Sequence, residues 1–341
     1  TRIFLVHYTN SWRKNMNLRV HKKLTVVLSA LATLAFFGSG TAVAEDWPSK
    51  PVTLIIPFGA GGSHDINARV FTSVISSHLG QPMIVKLMPG ASGQKGTAAA
   101  IKAKPDGYTL LFTHNFIDQL QRHVENLPYD TLKDQVTVWK LNESEALLFT
   151  KADKPWKTLP DMIGYAKKNP GKVVFNNSGK WGASFTPGAV LFAHTGVQIK
   201  FAPYKGGGPS RRAILAGDGD FTFGRIGNLS PLVEAGKIRI LAVAGANRVT
   251  AFPDVPSFKE LGYPAAGAVM DRIIMAPRGT PADRIAKLRA SFAALYKDKT
   301  FKNLMKRLGE NLKSVDGAEY EAIRAKQSEE YGALVKKLTA Q

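Results

Sequence analysis

The sequence predicts an α/β protein of two lobes around a cleft. Apolar runs of strand length alternate with helix-period segments from about residue 50 onward. This alternation forms two series, the second beginning after the apolar segment 146–150, and the last third of the chain returns to helices without strands of their own. Alternation of this kind signals sheets layered with helices, with parallel strands. Helices that lack a sheet pack back on the first series. The predicted first domain is therefore discontinuous, residues 45–148 plus 267–341, and the second is continuous over 149–266. Two crossings, near 147–149 and 270–275, join the lobes, and such a cleft closes by hinge motion.

Residues 1–44 stand apart. Arg19, Lys22 and Lys23 precede an apolar run over 24–37, too short for a comfortable membrane span, and Ala42-Val43-Ala44 follows. The pattern predicts a secretory signal cleaved after Ala44, with residues 1–15 as an upstream extension.

The first series opens with a strand over 52–56, apolar but for Thr53, as expected of a strand covered on both faces. Ser63 fits a helix N-cap, Ile66, Val70, Val74 and Ile75 form the helix's apolar face, and Gly80 ends it. A strand over 83–87, a turn over 89–93, an alanine-rich helix to about 103 and a strand over 108–113 follow. In the second series, strands over 173–175, 198–202, 221–223 and 238–243 are separated by polar or glycine-rich turns, with helices ending near 195 and 216. Thr280-Pro281 starts a C-terminal helix with Ile285, Leu288 and Phe292 on one face, and a last helix covers about 318–338.

Composition removes several function classes. The 341 residues contain no cysteine, so no disulfide or thiolate chemistry is available. The formal charge of +20 favours anionic partners, but the basic residues are dispersed without an aromatic stripe, and no nucleic-acid partner is expected. Walker A and G-x-G-x-x-G motifs are missing, as is a G-x-S-x-G nucleophile elbow. The histidines after residue 44 show no metal-ligand spacing, so neither metal nor cofactor is expected. Asp218 and Asp220 lie in a turn that reads as solvated.

What remains is a set of glycine-rich turns at 59–65, 178–184 and 206–208, each after the C-terminal end of a predicted strand. Ligands bind at that edge of an α/β sheet, and a turn leading into a helix N-terminus suits an anion. His64 and His114 fall in loops at the same edge.

Several stretches occur together in order: Trp47-Pro-Ser-Lys-Pro51, the turn from Pro57 to Asp65, Leu79-Gly-Gln-Pro82, Pro89-Gly-Ala-Ser-Gly93, Pro105-Asp-Gly-Tyr-Thr-Leu110, Pro203-Tyr-Lys-Gly206, Pro253-Asp-Val-Pro256 and Ala276-Pro-Arg-Gly-Thr-Pro281. In this the chain resembles the Bug family, periplasmic solute receptors of tripartite tricarboxylate transporters. The resemblance implies a type II Venus-flytrap architecture, a periplasmic location, and a non-catalytic monomer. Such a receptor captures a small organic carboxylate, a dicarboxylate or aromatic acid, for large and small membrane subunits. It also implies site residues. On the first lobe these are Phe58, Gly61, Gly62, Ser63 and Asp65, with His114 and Asn115; on the second, Ser178, Ser184, Tyr204 and Gly206. The chain departs from the family where Gly224-Arg225 replaces an acidic residue, and Arg225 there would favour a second anionic group. The turn at 179–182 is longer than the family's, which leaves Trp181 and Phe185 as either stacking partners of an aromatic ligand or a shield over the cleft. Two other readings stay open: an exported α/β hydrolase, which needs a Ser–His pair in the cleft, and a ligand-sensing adaptor for a membrane sensor kinase.

Overall fold

A computed structural model describes residues 46–340; the signal segment and the cleavage site after Ala44 lie outside the described residues. The chain opens with β1 (Val52–Ile56), α1 (Ser63–Leu79), β2 (Met83–Leu87), α2 (Gln94–Ile101) and β3 (Thr109–His114). A π turn over Phe116–Leu120, the short α3 (Thr131–Asp134) and the long β4 (Gln135–Glu145) follow. The next elements are β5 (Leu147–Lys151), α4 (Leu159–Lys168), β6 (Val174–Asn177), α5 (Phe185–Thr195), β7 (Lys200–Pro203), α6 (Gly207–Ala216), β8 (Phe221–Gly224), α7 (Ile226–Glu234) and β9 (Ile238–Val243). The chain closes with β10 (Val269–Pro277), α8 (Ala282–Leu295), α9 (Lys299–Arg307), β11 (Val315–Asp316) and α10 (Gly317–Thr339).

These form two sheets, one ordered β11-β4-β10-β3-β1-β2 and the other β7-β6-β8-β5-β9. The architecture is a two-lobed α/β type II fold. Each lobe has its own core. Leu54, Ile56, Phe71, Phe112 and Phe292 are buried in the first, and Leu148, Phe175, Leu191 and Phe221 in the second. As expected from their lack of strands, α8 and α9 pack on α1, and α10 packs on β4.

The sheets are mixed rather than parallel. β1 runs parallel to β2 and β3, but β10 is antiparallel to β3 and β4, and β5 is antiparallel to β8 and β9. β5 and β10 enter their sheets directly from the other lobe, without a helical crossover to reverse them, and the short β11 is also antiparallel to β4. The first crossing lies just before the expected segment 147–149, which falls inside β5. β4 ends at Glu145 and β5 begins at Leu147, so Ala146 alone joins the sheets. Its N–H donates to Ala268 O (3.2 Å), and its carbonyl accepts from Ala244 N–H (2.8 Å), which ties the two crossings together.

Two cap assignments change. Gly62, not Ser63, is the N-cap of α1, and α8 begins at Ala282 with Pro281 at the cap, while the Thr280 hydroxyl donates to Pro277 O (2.8 Å). Asp220 is not solvated: it pairs with Lys154 (2.5 Å) and accepts the Val174 N–H (2.7 Å).

Candidate functional site

The turn after β1 and the turn before α6 face each other across the cleft and touch through main chain. Gly59 N–H donates to Lys205 O (2.9 Å). Arg211 Nη2 and Arg212 Nη1 donate to Gly61 O (3.1 Å) and Ala60 O (3.2 Å). This approach needs glycine: Gly206 has φ 113°, and a Cβ there would sit 3.1 Å from Gly59 N.

Behind this contact lies a cavity of about 50 Å³. The N-termini of four helices open onto it, marked by Ser63 of α1, Ser184 before α5, Gly207 of α6, and Arg225 before α7. Each turns a positive dipole end toward the cavity, which therefore favours an anion before any charged side chain is counted.

Of the expected residues, Phe58, Gly62, Ser63, His114, Ser178, Ser184 and Arg225 line this cavity. Gly61, Asp65, Asn115, Tyr204 and Gly206 do not. Asp65 braces the turn, accepting Gly61 N–H (2.8 Å) and pairing with Arg69 (2.9 Å). Asn115 is turned the other way, donating to Val269 O (3.1 Å) and Tyr331 OH (2.7 Å) and accepting Asp271 N–H (3.1 Å). Tyr204 and Gly206 line a separate, wider cavity of about 480 Å³, which shares Phe58 and Ser178 with the first. Trp181 packs instead in a cluster with Phe116, Leu120, Met270 and Val335, which makes it a contact between lobes.

Arg225 is 4 % exposed, yet its guanidinium meets only carbonyls. Nη1 donates to Ser144 O (3.0 Å) and Ala268 O (3.1 Å), and Nη2 to Ala183 O (2.9 Å). Ser144 and Ala268 flank the two crossings, so this one side chain ties both to the cavity. Burial, followed by the charge of Arg272, pushes its pKa down to about 9, and the group stays cationic at neutral pH.

His64 and His114 form a buried pair with ring centroids 5.2 Å apart. His64 Nε2 donates to Thr113 O (3.0 Å), while His114 stacks on Phe58 and its Nδ1 is buried without a partner. Both are held well below the ordinary imidazole range. Burial is the main cause for each, followed by His114 and Arg272 for His64, and by Arg225 and Arg272 for His114. The unfolded chain takes up protons at these positions below about pH 6.5, and the folded protein does not. Stability from this pair is present above that pH and falls as pH drops through it, by up to about 1.4 kcal/mol per pH unit for each histidine. Melting temperature measured from pH 7.5 to 5 is expected to fall, and to fall less steeply in a His64→Gln, His114→Gln double variant. An unaltered slope would place the titration elsewhere.

Residues that sequence patterns did not single out also line the cavity, Arg211, Asn228 and Phe149, together with Phe223 at the end of β8. Arg211 carries no sequence signal, since Ser210-Arg211-Arg212 reads as a solvated helix face. Among the described residues, no cavity serine is hydrogen-bonded to a histidine; Ser184 Oγ instead donates to Ser178 Oγ (2.8 Å). The geometry lacks the activated nucleophile a hydrolase requires.

Residues 67–340 match the family described as the tripartite tricarboxylate transporter family receptor. The chain belongs to this family. BugT of Bordetella pertussis is 34% identical over 242 residues, 70% of this chain and 73% of BugT. The solved periplasmic binding protein BugD is 28% identical, with TM-score 0.82 over 86% of this chain and 99% of BugD. A Rhodopseudomonas palustris protein, MatC, solved with bound malate, is 27% identical, with TM-score 0.79 over 86% of this chain and 99% of its own. This family receptor is thus a solute-binding protein and not an enzyme.

Proposed function

We propose that this receptor captures a small aliphatic dicarboxylate in the cleft, in the periplasm, and delivers it to the large and small membrane subunits of a tripartite transporter. The lobes that close on it are those built on the two sheets, the first running through β4 and resuming at β10, the second running from β5 through β9, so that residues 147–148 fall in the second lobe rather than in the first as the sequence predicts. The observation that carries the reading is Arg225, a buried guanidinium at the cavity that, among the described residues, is hydrogen-bonded to carbonyls and forms no ion pair, although the Glu145 and Glu310 charges act on it from a distance. A buried cation is costly unless an anion joins it. The helix N-termini add to the same field, and malate in MatC is an aliphatic diacid.

A thermal-shift panel tests this with straight-chain diacids from malonate to suberate, malate, benzoate and phthalate. At least one aliphatic diacid is expected to raise the melting temperature, by ligand linkage. A response confined to the aromatic acids would reverse the chain-versus-ring choice. No response to any acid would remove the carboxylate reading.

A further inference from the structure

We propose that Arg211 is the second lobe's direct contact for the ligand's carboxylate, so that closing the cleft completes the anion site. The inference rests on the carboxylate reading above. Arg211 sits on α6 and reaches across to the first-lobe turn, where Nη2 donates to Gly61 O. Its Nη1 is buried without a partner, and the residue lines the cavity beside Gly62 and Ser63. Half of the guanidinium fork is thus in use and half is idle inside the anion site.

The contrast between half-buried Arg211 and the two fully buried arginines that meet acids, Arg272 and Arg324, bears on what the idle half is for. Arg272 forks onto Glu310 at 3.0 Å by both nitrogens, and Arg324 forks onto Asp118 at 2.6 and 2.7 Å. Arg211 has no such acid. Asp65, on the facing turn, is already committed to Gly61 N–H and Arg69. A guanidinium in this setting matches a carboxylate supplied from outside the chain. Burial and the neighbouring Arg212 charge both work against the lone cation, which an arriving anion would relieve. Arg212 itself is exposed and only holds Ala60 O.

Because the Gly61 contact spans the lobes, Arg211 occupies this position only when they meet. Its contribution to binding is therefore made in the closed state, and that differential drives closure. With Arg225, it places two cations and no acid among the described residues that line the cavity. A diacid then gains over its monoacid, as adipate over hexanoate.

The test uses calorimetric titration of the mature chain with the panel diacid that most stabilises it, in wild type, R211Q and R211K, at low and high NaCl. R211Q is expected to weaken binding about 30-fold, with part of the loss recovered in R211K, which keeps the charge but not the fork. The R211Q deficit is expected to shrink as salt rises, which loss of a neutral interlobe latch would not produce. R211Q binding within about threefold of wild type, or a deficit independent of salt, overturns the inference while leaving the receptor reading intact. A wild-type protein that binds no panel acid removes both.

Discussion

Replacing Arg225 with methionine is expected to weaken diacid binding about 30- to 1000-fold while changing unliganded stability by less than about 2 kcal/mol. The two effects separate because opposite terms act in the empty protein. The substitution takes the Arg225 donor from the Ser144, Ala183 and Ala268 carbonyls, of which Ala268 O keeps the Ala146 N–H, at about 1–3 kcal/mol for each one left unsatisfied. It also removes an unpaired buried cation whose desolvation costs several kcal/mol. These terms are similar in size and largely cancel. With an anion bound, no such cancellation occurs, because the carboxylate then faces a site stripped of a charge-assisted donor, at about 2–4 kcal/mol. Calorimetry for affinity and a ligand-free melt for stability give the two numbers. Equal losses in both would reduce Arg225 to a brace for the crossings. An unchanged affinity would remove it from the anion site altogether.

The parts of this receptor legible in sequence are those with local causes. β1 is apolar at every position but Thr53 and ends at a glycine turn, and the helix after it lies where expected, although its buried apolar face is Ala68, Phe71, Ile75 and Leu79, with the expected Ile66, Val70 and Val74 only half-buried beside it. The turns at 59–65, 178–184 and 206–208 could be placed at strand ends for the same reason, and their positions bring Phe58, Ser63 and Ser178 to one cavity. What escaped depends on partners far away in sequence. β4 reads as a polar stretch, yet its Thr137, Lys140, Asn142 and Ser144 are all buried. Asn142 accepts from Arg272 Nη1 (2.9 Å), and Lys140 pairs with Asp271 (3.3 Å), so its polarity is met by a strand some 130 residues later. No hydrophobic period reveals such a strand.

The same reasoning explains the site residues that moved. Asn115 follows β3 at the expected edge, but Tyr331 of α10 draws its amide away from the cleft. A C-terminal helix that packs back on the first lobe is predictable; which tyrosine it presents to which amide is not. Arg211 is the converse case. Only the meeting of the two lobes turns one member of a basic pair on a helix face into a cavity residue, while its neighbour Arg212 stays exposed.

Gly208→Ala is expected to leave the ligand-free melting temperature unchanged or slightly raised, and to weaken diacid binding by roughly 5- to 150-fold. Gly208 lies in the first turn of α6, where alanine is the better helix former by about 1 kcal/mol. Within its own lobe the substitution is therefore favourable. Across the cleft it is not. A Cβ at this position would lie 2.4 Å from Ala60 O, 2.8 Å from Gly62 N and 2.9 Å from the Gly61 carbonyl carbon. All three atoms are main chain of the facing turn, and none can swing aside as a flexible side chain would. Overpacking of this kind costs about 1–3 kcal/mol, borne only by the closed arrangement. The lobes must then stand apart, Arg211 loses Gly61, and the anion site is left incomplete. Small-angle scattering with saturating diacid should show the variant failing to contract as wild type does. A variant that contracts and binds like wild type would mean that ligand is held with the turns at 59–62 and 205–208 farther apart than they stand here, and the coupling of Arg211 to closure would fall with it.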